Sequence, residues 1–270
     1  MASLNRNLNL QPNKAMPAIF VGHGNPMLAI SDNRYSRKWK ALGKTLPRPK
    51  AILSISAHWT TPGRVAVTGM DQPRTIHDFS GFPDTLYAQQ YPAPGDPELA
   101  KEICTLIQSP AIECDAAWGL DHGTWTVLMH LFPKADIPVV QLSLDLNQDP
   151  QFHFDLGKAL SSLREKGVLI FGSGNVTHNL SQLKPSAASV DWAVSFDEKI
   201  KGWIDSRDDQ SLINAKKTDD LYRMAHPTDE HYLPLLYILA QRSKGDVLRY
   251  FNADFDLGTL SMRSFILSEG

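Results

Sequence analysis

Nine histidines in a chain of 270 residues are few enough to follow one by one, and several stand where chemistry can be done. His23 follows the apolar run Ala18-Ile-Phe-Val-Gly22 and lies in Gly22-His23-Gly24-Asn25-Pro26, where the glycines let the backbone turn sharply and present the imidazole. His58 closes Ala51-Ile-Leu-Ser-Ile-Ser-Ala-His58, and His178 follows Val168-Leu-Ile-Phe-Gly-Ser-Gly-Asn-Val-Thr. A lone histidine after an apolar run is ordinarily structural. Three from separate runs point to a shared centre, because neutral imidazole is the commonest ligand of zinc, iron and similar divalent ions. A mononuclear, open metal site is the sharp expectation.

Two further segments offer candidates. Ala225-His226-Pro-Thr-Asp-Glu230-His231-Tyr-Leu-Pro234 brings Glu230, His226 or His231 to the start of an apolar stretch. The two histidines are five residues apart, which does not fit the H-E-x-x-H pair of a zinc protease. Leu120-Asp121-His122-Gly123-Thr124-Trp125 sets a glycine-flanked histidine before a helix through Val127, Leu128 and Leu131, and reads as a loop histidine for substrate contact. His77, His130 and His153 read as core or surface side chains. Gly172-Ser-Gly174 lacks the third glycine of a dinucleotide fingerprint, and neither a P-loop nor a G-x-S-x-G elbow occurs.

These residues need elements to position them. Ala18-Ile-Phe-Val-Gly22, Ala51-Ile-Leu-Ser-Ile-Ser56, Val139-Val-Gln-Leu-Ser143 and Val168-Leu-Ile-Phe171 are short apolar runs of the kind buried on both faces of a sheet. Between them, Asp96-Pro97 and Asp149-Pro150 read as N-caps before first-turn prolines, opening helices over 98–108 and up to Gly167. Ser31 or Asp32 is expected to cap a helix carrying Tyr35, Trp39 and Leu42, and Trp192, Phe196, Ile200 and Ile204 mark another over 191–206. Strands alternating with helices imply an α/β fold, a central, largely parallel sheet flanked by helices in a single domain over residues 17–270, after a flexible N-terminal tail over 1–16. In such sheets ligands bind beyond the carboxyl ends of the strands, which is where the histidines fall.

Composition removes whole classes of partner. Lys and Arg number 27 against 29 Asp and Glu, a formal net charge of −2, with no long basic run, so neither nucleic acid nor an anionic membrane is an expected partner. No apolar run approaches the roughly 20 residues that span a bilayer, and the polar N-terminus lacks the apolar stretch of a secretory signal. A cytoplasmic protein follows, with Cys104 and Cys114 as reduced thiols. No heptad suggests an assembly larger than a monomer or small homo-oligomer.

Taken in order, Gly22-His23-Gly24-Asn25-Pro26, Ser56-Ala57-His58-Trp59, Leu120-Asp121-His122-Gly123-Thr124-Trp125, Gly172-Ser-Gly-Asn-Val-Thr-His178-Asn179-Leu180 and His226-Pro-Thr-Asp-Glu-His231 resemble the class III extradiol ring-cleaving dioxygenases, in particular their 4,5-DOPA dioxygenase branch. The resemblance implies cleavage of a catechol ring beside its hydroxyls, with O2 and a small-molecule catechol as substrates, L-DOPA or a relative giving a muconic semialdehyde. It implies one divalent ion, Fe(II) in the wider class, where two histidines and a carboxylate bind it. His23 and His58 match the two histidine ligands. At the third position this chain departs, offering His231 beside Glu230, with His231 favoured; three neutral ligands also suit Zn(II). His178 matches the active-site histidine, a base in the dioxygenases or a fourth ligand when zinc is bound, and His122 would stabilise charge on the opposite side. Arg223, Arg249 and Arg263 are carboxylate partners for the substrate by residue type alone, and otherwise surface charges.

Zinc does not change oxidation state, so the competing expectation is a zinc-dependent hydrolase in which His178 activates a metal-activated water; it would turn over esters or amides without consuming oxygen. A non-catalytic metal-storage module would have no use for the glycine-flanked His122.

Overall fold

Side chains alternate between the faces of a strand, so a run apolar at every position needs cover on both sides. The computed structural model, which describes residues 15–107, 111–186 and 188–270, supplies it. Among these residues one sheet has eight strands, in the order Ile112–Asp115, Val65–Thr68, Val139–Leu144, Ala51–Thr60, Val168–Gly174, Ala18–Gly22, Ser264–Glu269 and Asp246–Phe251. The middle four are the four apolar runs, and they are mutually parallel. The sheet is mixed towards its edges. Val65–Thr68 is antiparallel to Val139–Leu144, while Ser264–Glu269 pairs antiparallel with both Ala18–Gly22 and Asp246–Phe251.

The alternation feeds two cores. Ala18, Phe20, Leu53, Ile55, Val140, Leu142 and Ile170 face one cluster, shared with the helices Pro97–Leu106, Pro150–Ala159, Asp191–Ser206, Asp209–Thr218 and Leu233–Leu239. Ile19, Val21, Ile52, Val139, Leu169 and Phe171 face the other, covered by the helices Arg34–Thr45 and His122–Leu131. Burying a large aliphatic side chain contributes about 1.5–3 kcal/mol, so both layers hold the strands in register.

Helix boundaries follow local capping chemistry. Asp96 accepts from the Leu99 N–H and Asp149 from the Phe152 N–H, each followed by a proline at the first helical position. The first of these helices ends at Leu106; position 108 lies outside the described residues. The cap of Arg34–Thr45 is Asn33, not Ser31 or Asp32. The Asn33 side chain takes both the Tyr35 and Ser36 N–H groups, and Ser36 returns a hydroxyl to the Asn33 N–H, a reciprocal box that neither alternative is positioned to make. The expected tail lies outside the described residues except for Ala15 and Met16, which bond to Glu269 and Arg164. Among the described residues no helix is long and apolar enough to cross a membrane.

Candidate metal centre and active site

Three parallel strands end at the same edge of the sheet, and their histidines arrive there together. His23 directly follows Ala18–Gly22, its N–H donating to the Gly174 carbonyl at 3.2 Å, and Gly24 turns the chain away with φ +64°. That left-handed value costs a β-carbon roughly 1–2 kcal/mol. His58 lies near the carboxyl end of the strand Ala51–Thr60. His231 precedes the helix Leu233–Leu239, and its carbonyl accepts the Asn175 N–H at 3.0 Å, which stitches it to the end of Val168–Gly174. His178 sits beyond that strand, its N–H bonded to the Ala225 carbonyl at 2.9 Å. His122 is not a loop residue but the first residue of the helix His122–Leu131, because Asp121 accepts from the Thr124 N–H and caps it. A β-carbon on Gly123 would fall 2.6 Å from Ser56 Oγ and 3.0 Å from the His58 ring, so the helix meets the strand only with glycine there.

All five rings form one cluster. His23 Nε2 and His58 Nε2 are 3.1 Å apart. The His58 and His122 ring centres are 3.9 Å apart, His231 lies 5.3 Å from His23 and 4.9 Å from His58, and His178 stacks flat on His231 at 3.4 Å. Ligand atoms of His23, His58 and His122 all lie within 4.8 Å of one another.

The outer nitrogens show where the protons are. Ser173 Oγ donates its one hydrogen to the Gly123 carbonyl, so towards His23 Nδ1, at 3.0 Å, it can only accept. His122 Nδ1 donates to Asp78 Oδ2 at 2.8 Å, and the same oxygen lies 3.3 Å from His58 Nδ1. His231 Nδ1 faces Glu230 Oε1 at 3.3 Å, while its Nε2 is buried with no partner. His23, His122 and His231, so held, carry the proton on Nδ1 and leave a lone pair on Nε2, and the Asp78 charge favours the same form of His58. Without an ion, one proton on His58 Nε2 can bridge to His23 Nε2 at 3.1 Å, whereas His231 Nε2 stays orphaned; a divalent ion at the centre would replace that proton and take all three lone pairs. The donor set therefore fits one divalent ion with imidazole ligands, each ring braced by an outer acceptor.

Charge agrees with that arrangement. Burial first, and then the neighbouring imidazoles, hold His23, His58 and His231 far below the usual histidine value, and His178 is lowered to about 3 for the same reasons. Neutral rings are what a cation needs. For Asp78, burial pushes its pKa upward, but the hydrogen bond and charge of His122 and the charge of His58 prevail and keep it below the ordinary carboxylate value. Beneath the cluster, burial and then the Asp78 charge push Asp121 up to about 6; Ser56 Oγ at 2.7 Å and the Gln141 side chain donate to it. This buried network ties His58's strand to His122's helix.

The remaining candidates are placed elsewhere. His226 donates Nε2–H to the Val176 carbonyl at 2.8 Å inside a cage of Phe196, Tyr222 and Tyr232, close enough for its charge to act on His178 and His231 but with no ring contact to the cluster. Glu230 reaches the outer nitrogen of His231, not the centre. His130 and His153 are buried and bonded to the Leu28 and Asp145 carbonyls. Arg263 is no surface charge: its side chain is 3% exposed and paired with Asp197 and Glu198, which removes it as a substrate partner. Arg249 is exposed and reaches Ser268, and Arg223 is exposed on the short helix Tyr222–Ala225. Sequence reasoning passed over Asp78, Ser173 and the aromatic wall beside His122, where Phe79 stands 5.6 Å from the imidazole and packs on Phe82 and Tyr87.

The chain is similar to known proteins over most of its length. Residues 18–252 match the family described as the catalytic LigB subunit of aromatic ring-opening dioxygenase. The chain is 44% identical over 255 residues to a 4,5-DOPA dioxygenase extradiol of Escherichia coli K12, covering 92% of this chain and 93% of that one. It is 37% identical over 256 residues to a protein of the same name from Beta vulgaris, covering 91% and 94%. A crystal structure of an uncharacterized E. coli K12 protein superposes with a TM-score of 0.82 at 39% identity, covering 94% of this chain and 100% of that chain. The similarity thus runs over nearly the whole chain, which belongs to the LigB family, the class III extradiol ring-cleaving dioxygenases.

Proposed function

We propose that this dioxygenase opens a catechol bearing an amino-acid side chain, with 4,5-cleavage of L-DOPA to a muconic semialdehyde as the leading case, and that His23, His58 and His231 hold the ion. The observation that supports His231 in the ligand set is its buried, partnerless Nε2 beside the rings of His23 and His58; the ligand atoms of His122 also lie within 4.8 Å of those of His23 and His58. Held by His23, His58 and His231, Fe(II) would supply Lewis acidity towards the catechol and the redox change that O2 chemistry needs, whereas Zn(II) fits the same donors without that redox change.

The protein's own groups move the protons. His178, neutral at physiological pH, offers a lone pair to a catechol hydroxyl; its low basicity equally suits a neutral fourth ligand. His122 lies on the other side of the cluster, with Nδ1–H committed to Asp78, so a proton taken at Nε2 would leave a cation beside a carboxylate. From there it can be donated to oxygen as negative charge develops. Phe79, Phe82 and Tyr87 supply an apolar wall for the substrate ring and exclude water from it. A cytoplasmic location and a monomer or small homo-oligomer complete the proposal.

Oxygen-electrode assays of protein loaded with Fe(II) or Zn(II), with L-DOPA and simpler catechols, test this. The expected result is oxygen uptake and a yellow semialdehyde with Fe(II) alone, and faster turnover of L-DOPA than of unsubstituted catechol. Equal turnover of both would remove the amino-acid substrate. Ester or amide hydrolysis with the zinc form and no oxygen uptake with any catechol would refute the ring-opening reading.

A further inference from the structure

We propose that Asp78 is a positioning residue shared by His58 and His122: its carboxylate fixes the Nδ1–H form of His122 by a hydrogen bond, favours the same form of His58 by its charge at 3.3 Å, and so aims both Nε2 atoms at the centre. Both oxygens are used. Oδ1 accepts the His122 backbone N–H at 2.8 Å, and Oδ2 accepts His122 Nδ1–H at 2.8 Å while lying 3.3 Å from His58 Nδ1. The backbone contact places the carboxylate at the N-terminus of the ten-residue helix His122–Leu131, where the helix dipole favours negative charge. The side chain is only 16% exposed, so solvent does little to screen it. The neighbouring Asp121 is committed to capping and to Ser56 and Gln141, which leaves Asp78 as the carboxylate facing both rings.

This inference rests in part on the proposed ligand set and extends it. With imidazole where the wider class has a carboxylate ligand, negative charge reaches the centre through the rings instead, from Asp78 behind His58 and Glu230 behind His231. Such outer acceptors raise ligand basicity and fix ring orientation. Asp78 adds a coupling: one oxygen serves a proposed ligand and a proposed proton carrier, so the two rings are oriented together.

Asp78→Asn tests the point with almost no change of shape. If the asparagine oxygen keeps the His122 backbone N–H, its NH2 group replaces Oδ2 and points a donor at two Nδ1–H donors. At least one ring must then move its proton to Nε2 and withdraw a lone pair from the centre. The expected result is Zn(II) affinity about 10–100-fold weaker by competition with a chromophoric chelator, with partial recovery in Asp78→Glu. A fall in kcat larger than the rise in KM, and 15N imidazole shifts reporting Nε2–H on His122 or His58 in Asp78→Asn, are expected alongside it. Zn(II) affinity within about threefold of wild type together with unchanged ring shifts would overturn the proposal. Should Asp78→Asn fail to fold, the Zn(II)-loaded wild-type spectrum decides, because Nε2–H on either ring contradicts the tautomer assignment. The chelator and NMR measurements need no catechol turnover, so normal metal binding with no ring opening would reject the substrate reading and leave this one standing.

Discussion

His226 and His231 are five residues apart, are equally buried, and would look alike in composition, yet their surroundings assign them different work. Each has one ring nitrogen bonded and one buried without a partner, but the free Nδ1 of His226 lies in an aromatic cage, whereas the free Nε2 of His231, braced through Nδ1 on Glu230, lies on a ring packed beside His23 and His58. His231→Ala is therefore expected to lose bound metal, as are His23→Ala and His58→Ala, measured as metal per chain by atomic emission. His226→Ala should keep its metal and lose roughly 2–4 kcal/mol of stability to the cavity. Equal metal loss in both variants would undo the ligand assignment. His178→Ala and His122→Ala should cost far more turnover than metal content, and loss of metal in either would make that residue a ligand. The histidines were legible because each sits in a local pattern: His23, His58 and His178 follow apolar runs, His122 stands beside a glycine, and His231 precedes an apolar stretch. Asp78 and Ser173 were not, because their roles arise across space: Asp78 is 44 residues from His122, and Ser173 is 150 from His23.

Among elements, legibility followed burial. The four parallel strands are apolar at nearly every position and could be read directly, while Asp246–Phe251 mixes charged, apolar and half-exposed residues and Val65–Thr68 is only four residues long. Such strands are defined by their neighbours' hydrogen bonds more than by their own pattern. Tertiary approach also changes the meaning of the two cysteines. They are free thiols, as expected, but the helix Pro97–Leu106 and the edge strand Ile112–Asp115 bring Cys104 Sγ and Cys114 Sγ to 2.9 Å. Burial first, and then Cys114, push the Cys104 thiol up to about 12, so exposed Cys114 is the thiol that reacts first. With hydrogen peroxide it should form a sulfenic acid and release water. Attack by Cys104 should then close a disulfide and release a second water, a mass loss of about 2 Da relative to the reduced chain. Mass spectrometry showing only sulfinic acid on Cys114, or only dimers linked between chains, would contradict this geometry.

For the whole molecule, the number of histidines buried neutral sets its response to acid. His153 sits where the helices Pro150–Ala159 and Leu233–Leu239 meet. Its Nε2–H donates to the Asp145 carbonyl at 3.2 Å, and its Nδ1 accepts from Tyr237 Oη at 3.0 Å. The neutral ring is fully satisfied, a second proton would meet the Tyr237 hydroxyl, and burial lowers the ring to about 4; burial lowers His226 to about 4 as well. An unfolded chain binds these protons near pH 6.5, the folded one not until near pH 4, so the unfolded state gains protons first as pH falls. Stability is then complete above about pH 6.5 and declines through the window down to about 4, by roughly 1.4 kcal/mol per pH unit for each ring. Below it, Asp246 adds a further loss. Burial raises this carboxyl, but hydrogen bonds from Arg164 at 2.8 and 2.9 Å outweigh that and hold it below the ordinary value, so its contribution disappears as pH falls through its folded value. Urea melts of metal-free wild type and His153→Gln between pH 7 and 4.5 isolate one ring, because the cluster histidines titrate alike in both. The wild type should lose stability more steeply by about one proton's worth, and parallel profiles would show that His153 protonates as readily in the fold as outside it.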